Sequence, residues 1–202
     1  MLKVLTAALL GIFATACSQT SMVGSTAAIG PLANDAQPTL MRVSGSAFAP
    51  PAFYPFCSNQ PGLCASTGGS SKIELTDARL NELKGVNTGV NRRIREVNDI
   101  QSVGVEDRWG LPTNVGDCED FAILKKKELM QQGWPASALL LTVVTVGGEG
   151  HVVLTARTDR GDFVLDNRTN SLRDWTRVPY RFFARQSQSA HGKWERIVAV
   201  DA

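Results

Sequence analysis

Cys118 sits between acids in the run Gly116-Asp117-Cys118-Glu119-Asp120-Phe121, where the residue pattern predicts the start of a helix. A cysteine in a first helical turn faces unpaired backbone N–H groups and the positive end of the helix dipole, and both favour thiolate over thiol. The thiolate is the nucleophile of acyl-transfer chemistry. The same residues also describe a small buried cysteine among acids that would stabilise any helix start. Two histidines are present, His151 and His191. His191 lies in a polar, glycine-containing stretch with no implied partner. His151 opens a predicted strand directly after Gly147-Gly148-Glu149-Gly150, so its side chain stands at a sheet end. If the following hairpin has a two- or four-residue loop, His151 lies opposite Arg168, and Asp166 is its diagonal neighbour on the same face. A three-residue loop would put Asp166 on the other face. In the first register a carboxylate can orient an imidazole whose other nitrogen addresses a thiol.

Several elements must position these residues. Thr76 is placed to cap a helix from Asp77 to about Asn98, with Leu80, Leu83, Val86, Val90, Ile94 and Val97 on one face. Asn87, Asn91, Arg92, Arg93 and Arg95 fall on the remainder, read as solvated surface. Gly85 and Gly89 weaken that helix and predict close packing against a neighbour. After Asp107, Trp109, Gly110 and Pro112 comes the cysteine helix, where Ala122, Leu124 and Leu129 recur among Lys125, Lys126, Lys127 and Glu128, and Gly133 and Pro135 end it. Leu139 to Val146 is a nearly continuous apolar run, a strand buried on both faces. His151 to Arg157 and Asp162 to Asn167 alternate around Thr158-Asp159-Arg160-Gly161, a hairpin. Trp194 to Val200 reads as a closing strand. Helices first and strands second predict an α+β domain with an antiparallel sheet.

The 202 residues fit one domain of ordinary size, and the formal net charge of +2 gives no electrostatic case for nucleic acid or an anionic membrane. Residues 1–16 read as a secretory leader, with Lys3, an apolar stretch from Val4 to Phe13, and Ala14-Thr15-Ala16 as cleavage site. Cys17 follows at once, so the segment also resembles a lipoprotein signal, with lipidation at Cys17. Residues 17–49 read as a flexible Ser/Ala/Gly/Thr/Pro tether and residues 50–202 as the domain. Cys57 and Cys64, in a short loop flanked by Asn59, Pro61 and Gly62, fit a disulfide in an oxidising compartment better than a metal site, because no second ligand pair exists. Cys118 then remains as a single reactive candidate.

The run at 116–121, Gly150-His151-Val152-Val153-Leu154 and Val164-Leu165-Asp166-Asn167, with Trp109 and Pro112 ahead of the cysteine, resemble the bacterial transglutaminase-like cysteine proteinases. The similarity extends from about Leu75 to Trp194. It implies a papain/transglutaminase-type fold, with the nucleophile helix packed on an antiparallel sheet, and a triad of Cys118, His151 and Asp166. The best-known members are periplasmic, calcium-dependent proteases that release a biofilm adhesin. Their calcium ligands include the acids flanking the nucleophile, which here are Asp117 and Glu119, with Asp120 a further candidate. Such acids beside Cys118 raise its pKa unless a cation offsets them, and hard oxygen ligands suit Ca²⁺. The alternative is that they cap the helix. The resulting expectation is an exported, periplasmic cysteine endopeptidase that cleaves a cell-surface or envelope protein through a thioester. Its oxyanion would be held by the Cys118 N–H, with Trp109 as a further donor. Amide transfer or deamidation on the same triad, and a non-catalytic calcium-dependent envelope binding module, are the other readings.

Overall fold

The computed structural model describes residues 38–105 and 107–199, all within one unit, Ala36–Ala202. The leader, Cys17 and most of the tether lie outside the described residues. In chain order the strands are β1 (Val43–Ala47), β2 (Arg95–Glu96), β3 (Val115–Gly116), β4 (Leu139–Val146), β5 (Glu149–Thr158), β6 (Gly161–Asp166), β7 (Thr169–Asp174), β8 (Arg181–Gln186) and β9 (Trp194–Ile197). The helices are α1 (Phe53–Asn59), α2 (Pro61–Cys64), α3 (Asp77–Arg93), α4 (Asp99–Ser102) and α5 (Cys118–Gln131). Seven strands form one sheet in the order β1-β9-β8-β4-β5-β6-β7, antiparallel at every pairing. β2 and β3 make a separate parallel pair. Helices α1, α3 and α5 bury Phe53, Leu83, Val90, Phe121, Ile123 and Leu129 with Leu139, Leu141, Leu154 and Leu165 of the sheet. Met41, Val144, Val153, Val164, Trp175 and Ile197 form a smaller cluster of their own. This is the expected α+β arrangement, with the nucleophile helix on an antiparallel sheet.

Residues 43–47, assigned above to the tether, instead form β1 and pair with β9. A short strand of Ser, Gly and Ala with an exposed centre carries no alternation to be read. What fixes it lies just upstream. Met41 is buried and its N–H donates to Asp162 Oδ2 at 2.7 Å, while Trp175 Nε1 donates to Thr39 O at 2.9 Å.

α3 begins as expected, with Thr76 Oγ1 accepting from Arg79 N at 3.2 Å. It stops at Arg93, not near Asn98, because Ile94 turns extended and the chain pairs with β3 instead. Gly85 has nothing near its missing Cβ and Gly89 meets only an Arg93 nitrogen at 3.4 Å, so neither marks a close approach. The side of α3 read as solvated surface is partly wrong as well. Asn87 is fully buried; its Oδ1 accepts from Asp166 N at 3.1 Å and its Nδ2 donates to Thr169 O at 3.0 Å. Asn91 Nδ2 donates to Asp166 O at 2.9 Å. These amides clamp the turn between β6 and β7.

α5 runs from Cys118 to Gln131, and Gly133 takes the left-handed conformation (φ 85°) that ends it. Lys125 and Lys126 are fully buried, not solvated. Lys126 Nζ donates to Ala65 O at 2.7 Å and Gln186 Oε1 at 3.0 Å, and Gln186 Nε2 reaches Cys64 O at 2.9 Å. Burial pulls both lysine pKa values down to about 7. Cys57 and Cys64 form the expected disulfide, joining α1 to α2, and Cys118 is the free cysteine among the described residues.

The clamp gives a stability prediction. Asn87→Ala strands a buried N–H and a buried carbonyl, each costing about 1–3 kcal/mol. At roughly 2–4 °C per kcal/mol for a domain of this size, calorimetry should record a melting point several degrees lower. An unchanged melting point would show that Asn87 does not hold the β6–β7 turn.

Candidate functional site

The β5–β6 hairpin decides whether His151 and Asp166 can meet. Thr158 pairs with Gly161, Arg157 with Asp162, and Leu154 with Leu165, so the loop has two residues, Asp159 and Arg160. Thr158 Oγ1 stabilises that turn, accepting from Arg160 N at 3.2 Å and donating to Gly161 O at 2.7 Å. Continuing the register sets His151 opposite Arg168 and Asp166 on His151's diagonal, the favourable case. The side chains meet: His151 Nε2 lies 2.9 Å from Asp166 Oδ1, and both residues are buried. With the Nε2 proton directed at the carboxylate, Nδ1 is the nitrogen left to accept a proton.

Asp166 is itself held. Arg168 N donates to its Oδ1 at 3.1 Å, the Tyr180 hydroxyl to its Oδ2, and Asn87 and Asn91 fix its backbone. Burial opposes ionisation, but the hydrogen bonds from His151 and Tyr180 outweigh it and keep the pKa below the ordinary carboxylate value.

Cys118 is the first residue of α5 and half-buried, and α5 packs against β5, the strand that carries His151. The thiol also donates to Glu119 Oε2 at 3.3 Å. Burial, then the Glu119 charge, push the thiol pKa strongly upward. Burial and the neighbouring acids thus oppose the helix-start effect anticipated from the sequence.

The acids divide. Asp99, Asp117 and Glu119 bring carboxylate oxygens within 4.8 Å of one another, an arrangement able to hold a metal ion. Asp117 Oδ1 is buried with no hydrogen-bond partner among the described residues. Burial and then Asp117 push Glu119 to about 9, and burial likewise raises Asp117 and Asp107, the latter beside Asp99. Asp117 makes no side-chain cap bond to α5, so the capping reading does not describe it. Instead its Oδ2 accepts from Asp99 N at 3.2 Å. Asp120, the third acid named from the sequence, is not part of this group. Its Oδ1 accepts from Gly110 N at 2.8 Å, and a Cβ at Gly116 would come within 2.7 Å of its Oδ2, so Asp120 ties the preceding loop to the helix. Burial raises its pKa to about 7.

Trp109 does not stand as an oxyanion donor. It is buried edge-on between Phe53 (5.8 Å) and Trp194 (6.4 Å). His191 is exposed in the turn between β8 and β9. Sequence reasoning missed Asp99, which looks like an ordinary helix-start acid, and Tyr180, Asn87 and Asn91, whose roles depend on contacts distant in the chain.

The family model for the bacterial transglutaminase-like cysteine proteinases, BTLCP, matches residues 43–202. No curated protein sequence matches. Among solved structures, calcium-bound LapG of Legionella pneumophila superposes with a TM-score of 0.50 at 21% identity, covering 73% of this chain and 81% of its own. EGTA-treated LapG from the same organism gives 0.49 at 21%, over 71% and 75%. At that identity the likeness is one of fold, and it agrees with the sheet-and-helix arrangement described above. The family rests on the sequence match, which includes Cys118, His151 and Asp166 and most of the chain: the protein belongs to the bacterial transglutaminase-like cysteine proteinases.

Proposed function

We propose that this protein is an exported cysteine endopeptidase in which Cys118, His151 and Asp166 act together on a protein substrate of the cell envelope. The observation that carries the reading is the buried 2.9 Å bond between His151 Nε2 and Asp166 Oδ1, on a strand against which the Cys118 helix packs. Asp166 holds the tautomer that leaves Nδ1 free to take the thiol proton as sulfur attacks the scissile carbonyl carbon. The oxyanion forms beside the first turn of α5, where the Cys118 N–H serves as donor. The imidazolium then protonates the departing amine, leaving a thioester that water, deprotonated by the same imidazole, hydrolyses. A raised thiol pKa suits this general-base route, in which proton and nucleophile move together. The Cys57–Cys64 disulfide supports an oxidising, periplasmic location.

Calcium fits the acidic group. Asp99, Asp117 and Glu119 supply hard oxygen donors, and the orphaned Asp117 Oδ1 is a buried acceptor in need of a partner. Those three residues would hold the ion, with backbone carbonyls and water completing its shell. Bound there, the cation would offset the negative charge beside Cys118.

Two experiments test these readings. In comparative proteomics of the envelope, Cys118→Ala should abolish release of substrate fragments, Asp166→Asn should leave a trace, and His191→Ala should match wild type. Wild-type cleavage by Cys118→Ala would remove the thiol from the mechanism, and products bearing an added amine would move the reaction from hydrolysis to transfer.

For the metal, calorimetric titration of chelator-treated protein with calcium should give heat and a rise in melting temperature. Asp99→Ala, which leaves the residues flanking the thiol intact, should weaken both. No heat and no shift at millimolar calcium, on the order expected for weak extracellular sites, would remove calcium from this account.

A further inference from the structure

The reading of Cys118, His151 and Asp166 as a catalytic set leaves a physical problem at Asp166. A buried ionised carboxylate needs both oxygens satisfied, or it rotates or takes up a proton. Oδ1 is occupied by His151 Nε2 and Arg168 N. Oδ2 has one hydrogen-bond partner among the described residues, the Tyr180 hydroxyl at 2.5 Å. The same ring lies edge-on to the His151 ring, with centroids 6.0 Å apart and planes at 80°.

The placement of Tyr180 follows from the sheet. Val144 of β4 pairs with His151 of β5 on one side and with Phe182 of β8 on the other. Side chains alternate along a strand, so Tyr180, two residues before Phe182, falls on the face that carries His151. Pro179 precedes it, and the chain enters β8 at Arg181. The phenol thus reaches Asp166 from the strand on the far side of β4, while His151 reaches it from β5. Bonds to both oxygens, from His151 and Arg168 to Oδ1 and from Tyr180 to Oδ2, leave the carboxylate one orientation.

We infer that Tyr180 is a positioning residue for the reaction: its hydroxyl fixes Asp166 so that Asp166 presents Oδ1 to His151 and keeps Nδ1 turned to the Cys118 thiol. Tyr180 touches neither the reacting bond nor the thiol and acts only through Asp166. The groups that face Asp166 are His151 from β5, Tyr180 ahead of β8, Arg168 from the β6–β7 turn and the buried Lys125 of α5, whose Nζ has no hydrogen-bond partner among the described residues. Removing the phenol takes one donor from an ionised carboxylate. Asp166 holds His151 while it is ionised, and that hold fails as pH falls through its depressed pKa. Without Tyr180 the pKa is less depressed, so the failure begins at a higher pH.

The test needs no known substrate. The second-order rate of Cys118 alkylation by iodoacetamide, followed on the Cys118 peptide by mass spectrometry, reports the thiol–imidazole pair directly. Tyr180→Phe keeps the ring against His151 and removes only the hydroxyl. At neutral pH it should lower the rate by about 10-fold, the low end for one hydrogen bond to a charged group, and move the acid limb of the rate profile upward. In an Asp166→Asn background the same change should have little further effect, because both substitutions break one chain of contacts. 3-Fluorotyrosine at position 180, which keeps the donor, should restore the rate. A Tyr180→Phe rate and acid limb equal to wild type would overturn the inference, as would effects that simply multiply in the double variant. An alkylation rate indifferent to His151→Ala would instead sink the catalytic set itself, so the two failures are distinguishable.

Discussion

Strand parity governs this molecule. Asp166 can reach His151 only because β5 and β6 are joined by an even number of loop residues, so both side chains fall on one face of the sheet. The rest of the architecture protects that register. Ile73 O accepts from Asp159 N at 2.9 Å, and Asp162 N donates to Thr39 O at 3.1 Å, pinning the hairpin at its closed end. Asn87 and Asn91 pin the other end. A seven-stranded sheet with β4 and β5 near its middle gives the histidine strand a partner on each side. The buried imidazole–carboxylate bond therefore inherits its precision from backbone pairing on both flanks.

Helix α5 is governed by burial more than by its dipole. Cys118, Glu119 and Asp120 open a helix whose N-terminus favours negative charge, yet all three have pKa values raised by loss of solvent. Lys125 and Lys126 respond oppositely, both pulled down by the same cause. The first turn and the middle of α5 thus hold groups that desolvation drives toward neutrality. The acidic end is the one where Asp99 and Asp117 leave an unsatisfied oxygen, and it is the end nearest the thiol.

Much of this was legible in the chain, and the reasons are local. Leu139–Val146 announced β4 through a nearly continuous apolar, β-branched run, and the alternation after His151 announced the hairpin. The Pro- and Gly-bounded spacing of Cys57 and Cys64 announced the disulfide. What escaped was whatever depends on partners far along the chain. The Asn87 and Asn91 amides are ordinary polar residues on a helix until the β6–β7 turn is laid against them. Lys125 and Lys126 look solvated because helical periodicity does not reveal that α5 is covered on several sides. β1 escaped because Ser, Gly and Ala signal a linker as readily as an edge strand. Asp99 joins Asp117 and Glu119 only through the fold that returns α4 to the start of α5, and the acid adjacent in sequence, Asp120, turned away to Gly110.

Gly116 carries a consequence for how this chain can vary. It looks like a catalytic-motif glycine, but its missing side chain makes room for Asp120, whose Oδ2 and Cβ would lie 2.7 and 2.8 Å from a Cβ there. Positions 116 and 120 are thus coupled by packing, and the Gly110 N–H holds the Asp120 carboxylate in place. A side chain at 116 becomes tolerable only if 120 shrinks, and a smaller residue at 120 abandons the Gly110 amide. Position 110 is freer, because it lends only its N–H and a Cβ there would stand an ordinary 3.9 Å from Asp120 Oδ1. The recognisable spelling around Cys118 is therefore maintained partly by packing, and a relative could lose its chemistry while still retaining much of that spelling.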